Sequence, residues 1–324
     1  MNFAFHSPKA QSAVLPLHEW HQQQLVTWRK LLAQCARKPS RRSVHALRSI
    51  TLRLQVGIEY FLRNRAANSA AARAFQQWCK NGKKLRKALE PVRDADVHLT
   101  RLKSLRGTGK ASEGKKKLSP RCIREVSKLE DRLQRKRKTG INKLRTAIDA
   151  RGKRLNRQSK ELEAALSPHT PTKVHSTAPE ALRIFARMAS DYPHLDANNL
   201  HEYRKHLKQA RYLAEISAAS DPVAKQLAAA FRRIQSAAGE WHDWQELANK
   251  ADRILPNHGK EDGLIPVLES LAKKALHRTL SQCRRTAARL LKNDGNVRLL
   301  PPRKPVATDP GLQPEDTYLR AATG

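Results

Sequence analysis

The sequence predicts an all-α protein, two pseudo-symmetric antiparallel helical bundles with long hairpin helices, and three observations predict it. The chain is dominated by Ala, Leu, Arg, Lys, Gln and Glu, residues that lose little on entering a helix. Apolar positions recur at spacings of three and four nearly throughout, and no run alternates with period two, so one face of a helix, not of a strand, is being buried. Two distant segments also repeat one pattern on either side of a Pro-, Ser- and Thr-rich stretch, as expected of a duplicated unit.

Taken in order, the apolar spacing places helices at about 17–37, 41–64, 69–80, 83–105, 117–166, 178–190, 195–219, 222–255 and 261–293. Pro91 falls inside the fourth, stands where the second repeat has a glycine, and is expected to kink it. Gly140 is expected to bend or break the long fifth helix, since glycine costs about 1 kcal/mol there relative to alanine. The stretch SPHTPTKVHSTAP supplies turn formers and few core candidates, which makes it a linker. The chain therefore divides into an N-terminal bundle, 1–166, a linker, 167–179, a C-terminal bundle, 180–293, and a tail, 294–324, expected to be disordered.

Charge is the strongest functional signal. With 64 Lys+Arg against 29 Asp+Glu in 324 residues, the formal net charge is +35. Such an excess repels itself in a compact state and points to a polyanionic partner. The densest run is RLQRKRK at 132–138, where Arg132 and Arg135 are candidate contacts and a solvated helix face is the competing explanation. Cys35, Cys79, Cys122 and Cys283 are scattered without a Cys-x-x-Cys pair, which fits neither a disulfide framework nor a zinc site. No basic, then apolar, N-terminal leader and no run of about 20 apolar residues is present, so a cytoplasmic protein without a membrane span is expected.

The repeat carries the candidate site. Val44-His45-Ala46-Leu47-Arg48 in the first half matches Leu200-His201-Glu202-Tyr203-Arg204 in the second. Each is followed by an Asp-containing segment, around Asp94 and Asp243. At about 100° per residue, His201, Arg204, Lys208 and Arg211 share an arc of roughly 80° on one helix face. That face is expected to carry positive charge and no acid, with Leu200, Tyr203, Leu207, Ala210 and Ala214 on the adjoining buried side. In the first copy His45 and Arg48 match, Arg53 lies on the near flank and Arg41 extends the stripe one turn earlier. Leu52 replaces Lys208 and Gln55 replaces Arg211, which makes the first half-site the weaker. Arg offers a planar fork of donors, Lys a mobile point charge, and His a donor that titrates. Together they suit a ligand made of oxygen acceptors.

At these residues the chain resembles the CHAD family, the conserved histidine α-helical domain proteins. Val-His-x-x-Arg continuing to Arg53-Leu54, Arg93-Asp94-x-Asp96, the run from His201 to Glu215, and Gly239-Glu240-x-x-Asp243 look like its paired signatures, in order. The resemblance implies two four-helix bundles that bind inorganic polyphosphate on a basic cavity or surface between them. It also implies association with polyphosphate or polyhydroxyalkanoate storage granules. By the same resemblance His45, Arg48, Arg53, His201, Arg204, Lys208 and Arg211 are the expected ligand contacts.

An enzyme is not expected: the sequence has no Walker glycine loop, no His-Glu-x-x-His helix and no Gly-x-Ser-x-Gly elbow. No cofactor or metal is expected either, because the residues three after His45 and His201 are arginines, which repel cations. Non-specific nucleic-acid binding is the alternative function. It suits the charge, but aromatic residues are only 5% of the chain and no base-reading module is visible.

Overall fold

The computed structural model describes residues 17–63, 69–107, 118–166, 176–255 and 263–291. These form eight helices and, among the described residues, no strand. They are α1 (Leu17–Arg37), α2 (Arg41–Arg63), α3 (Ser69–Gly107), α4 (Pro120–Leu166), α5 (Ala178–Asp191), α6 (Leu200–Ser217), α7 (Pro222–Ile254) and α8 (Leu264–Leu291). The expected tail, 294–324, lies outside the described residues, as does most of the linker.

The helices expected separately at 69–80 and 83–105 are one, α3, which passes through Asn81 and Gly82 without a break. A side chain at Gly82 would sit 3.5 Å from the Thr51 methyl group, so packing against α2 overrides the weak local helix preference at this point. Pro91 lies within the continuous α3. Gly140 does not interrupt α4: its Cβ would meet Val92 Cγ2 at 3.2 Å and Pro91 Cβ at 3.4 Å. The glycine lets α3 and α4 approach closely at the proline, which is a packing role and not the bend expected of it.

Two cores form. One joins α1, α2, the first half of α3 and the second half of α4, around Trp28, Leu47, Leu54, Trp78, Leu89, Leu144 and Leu155. The other joins α5 to α8 around Phe185, Leu207, Phe231, Trp241 and Leu268. It also takes in Leu102 and Leu105 of α3 and Cys122, Val126, Leu129 and Leu133 of α4. The α3–α4 hairpin is thus long enough to serve both cores. Trp28 Nε1 donates to Thr51 Oγ1 at 2.9 Å, and all four cysteines are free.

The bundles meet along α2 against α6 and α3 against α7. These are the four helices that carry the repeated motifs, so the fold places both copies on one internal boundary. The start of α5 is fixed to α6 by Thr177, whose hydroxyl donates to the Leu213 carbonyl at 2.6 Å. Asp221 caps α7 by accepting from the Val223 and Ala224 amides at 2.7 and 3.2 Å, a bond pattern that satisfies otherwise orphaned N–H groups.

Candidate functional site

Helical spacing puts the apolar residues of α6 into the second core and leaves His201, Arg204, Lys208 and Arg211 on the side turned to α2 and α3. His201 is exposed, Lys208 and Arg211 are half-buried and Arg204 is buried. The charges converge across the bundle boundary. Arg204, Arg48, Arg93 and Arg211 all press on Lys208, after burial, and together they push its ammonium down to about 7. No carboxylate ion-pairs with Lys208, Arg204, His45 or His201 among the described residues. Arg204 itself is pushed down to about 10, chiefly by burial, against the pull of the nearby Asp243 carboxylate and with Arg93 adding to the fall.

Three imidazoles surround this centre. His242 of α7 stands with its ring 5.6 Å from that of His201. Burial, then Arg204, His201, Arg93 and Lys208, lower it to about 3. His45 is lowered by burial and by Arg93, Arg41, Arg48 and Arg211, which places Arg41 and Arg211 within its electrostatic reach. His201 is lowered by burial and by Lys205 and Arg204. A site of this kind resists protonation, and anionic oxygens beside it would reverse that resistance.

The remaining expected contacts divide. Arg48 donates weakly to Glu90 Oε1 and to the Arg86 carbonyl, both at 3.4 Å. Arg53 and Arg211 are drawn to Glu215, at 2.9 and 3.3 Å, and both guanidiniums lie over the Tyr212 ring, at 5.6 and 4.8 Å. Arg232 joins the same carboxylate at 3.1 Å. The expectation of a stripe without acid therefore fails at its C-terminal end, where Glu215 follows Arg211 by one helical turn. Arg132 and Arg135 are exposed, and no contact links them to the convergence of cations. From that run it is Arg137 that turns inward, binding Asp96 at 2.6 Å.

Residues outside the expected ligand contacts complete the site. Arg93 reaches Asp94 at 3.0 Å and, across the boundary, Asp243 at 3.6 Å. Asp243 also receives Arg101 at 3.2 Å. Arg86, only 2% exposed, donates to Gln55 Oε1 at 2.8 Å. The guanidinium missing at position 55 is thus supplied from α3, with the glutamine as its partner. Aligning Asp94 with Asp243 would have revealed the exchange, because Arg86 then corresponds to Gln235, just as Gln55 corresponds to Arg211. The same alignment pairs Gly239 with Glu90, not with Pro91.

A second polar group lies further along α3 and α7, where Lys250 Nζ and His98 Nδ1 are 3.3 Å apart. A cavity of about 510 Å³ opens at the other end, lined by Trp20, Arg53, Glu215, Lys225 and Arg232 among others. It lies beyond the ion-paired end of the stripe. The uncompensated cations stand elsewhere, and they mark the candidate site.

The comparisons agree with this architecture. A family model described as CHAD domain matches residues 19–249. Among solved structures, the CHAD domain from the plant Ricinus communis is similar with a TM-score of 0.60 at 14% identity, covering 89% of this chain and 97% of that one. PptA from Streptomyces chartreusis is similar with a TM-score of 0.55 at 16% identity, covering 86% of this chain and 100% of that one. At such identities the likeness speaks for the fold. No curated protein matches the sequence.

Proposed function

This chain belongs to the CHAD family, and from that premise we propose that it binds inorganic polyphosphate, without catalysis, at the basic boundary between its two bundles. The observation that carries the proposal is Lys208, half-buried among four arginines with no carboxylate to balance it. A buried charge without a partner costs several kcal/mol, and a chain of phosphates would supply the missing partner many times over. Each charge-assisted hydrogen bond contributes roughly 1.5–3 kcal/mol, so a few suffice for tight binding.

This boundary offers donors and few free acids. Glu90, Asp94, Asp243 and Glu215 are each ion-paired with arginine, which lowers their basicity and fits binding better than turnover. Association with storage granules would follow from the same contact with polymer. Nucleic acid is the competing ligand, and a protein of this charge should hold it non-specifically at low salt. Against specific single-strand binding, Trp28, Trp78, Trp241 and Trp244 are buried, so stacking platforms of the usual kind are wanting there.

Competition separates the two. Labelled polyphosphate is challenged with RNA and with DNA at matched phosphate concentration and near-physiological salt. Polyphosphate should stay bound; displacement by equal phosphate of nucleic acid would overturn the proposal.

A further inference from the structure

Gly57, Gly82, Gly140 and Gly152 would each bring an added Cβ within 4 Å of another atom, but one at Gly239 would meet nothing. Gly239 lies in the interior of α7, where glycine is unfavourable by about 1 kcal/mol relative to alanine. Neither close packing nor a turn requires it. It shares a helix face with His242 and Asp243, three and four residues on.

The internal repeat shows what the empty space corresponds to. In the first half Arg48 spans the Arg86 carbonyl and the Glu90 carboxylate, both at 3.4 Å. The matching residues of the second half are Arg204, Gln235 and Gly239. Arg204 is 7% exposed and its buried Nε has no hydrogen-bond partner. The Gln235 side-chain oxygen, on the same face of α7, is also buried and unpartnered. Where Glu90 ion-pairs with Arg48, the matching position on α7 is an open glycine. The carboxylate that acts on Arg204 is Asp243, one turn further on, and its direct contacts go to Arg93 and Arg101.

We propose that Gly239 keeps open an oxyanion subsite on Arg204, in which a phosphoryl oxygen of the ligand takes the place that the Glu90 carboxylate holds on Arg48. The inference rests on the polyphosphate reading for its ligand, but the subsite follows from the repeat and would accept any tetrahedral oxyanion. Glu90 is then a built-in occupant that attenuates the first half-site, and Gly239 is the position that makes the second half-site strong.

The test introduces the carboxylate. Gly239→Glu should weaken binding of labelled polyphosphate at least tenfold at near-physiological salt. Gln134→Glu, which adds the same charge at an exposed position of α4, should cost less than twofold. Glu90→Gln should strengthen binding about twofold to threefold. Circular dichroism and thermal melting check that each variant is folded. Wild-type binding matched by a folded Gly239→Glu protein would overturn the inference while leaving the polyphosphate proposal standing. A second measurement does not depend on polyphosphate: crystals of the wild type soaked in sulfate should show the anion on Arg204 beside Gly239 and not on Arg48. Sulfate on Arg48 with Arg204 bare would also overturn it.

Discussion

The two halves of the molecule use one framework and arrive at different electrostatics. On α2 and α3 the arginine of the motif, Arg48, faces Glu90, Leu52 occupies the lysine position, and Gln55 binds Arg86. On α6 and α7 the corresponding places hold Arg204, Gly239, Lys208, Arg211 and Gln235. The first half spends its positive charge internally, on a carboxylate and a glutamine. The second shares Asp243 between Arg204, Arg93 and Arg101 and leaves Lys208 facing arginines alone. Both halves seat these helices in apolar cores, and they differ at a few polar positions on the shared boundary. Cations that repel one another in this way are relieved when an anion is set among them.

The widest separation of the halves comes from removing their arginines. Arg204→Ala combined with Lys208→Met should weaken polyphosphate binding about a hundredfold or more, since two charge-assisted contacts of roughly 1.5–3 kcal/mol each are lost. Arg48→Ala should cost tenfold or less, because Glu90 already neutralises part of its charge. Equal losses in fluorescence titrations would mean that total charge alone governs affinity. The smallest effect is expected from Arg132→Ala with Arg135→Ala: under twofold at near-physiological salt, where exposed charges beyond the Debye length of about 8 Å are screened. A large loss there would extend the binding surface onto α4.

Much of the fold was legible because helical periodicity is a strong local signal. The bounds of α1, α2 and α7 agree with the apolar spacing to within a residue or so. What escaped was decided by contacts between helices. Asn81 and Gly82 look like a break until α2 is packed against them, and Gly140 looks like a hinge until Pro91 and Val92 are set beside it. The basic stripe was equally visible, as a property of one helix face. Its neutralisation by Glu90 and the arrival of Arg93 and His242 depend on partners distant in the chain, and only the paired alignment of the repeats could have suggested them. Glu215 was in view beside Arg211, yet its hold on Arg53 from another helix was not.

The most direct test of the central claim is proton uptake on binding, measured at pH 8 by calorimetry in buffers of different ionisation enthalpy. In the free protein Lys208 is lowered to about 7 and is mostly neutral at that pH. Polyphosphate oxygens beside it favour the ammonium and raise its pKa, so the complex holds more protons than the free protein between the two values. Affinity must then fall as pH rises through that window, by at most tenfold per unit for one proton. The account predicts uptake of about one proton by the wild type and markedly less by Lys208→Met. Binding that takes up no proton, or the same number in both proteins, would contradict it.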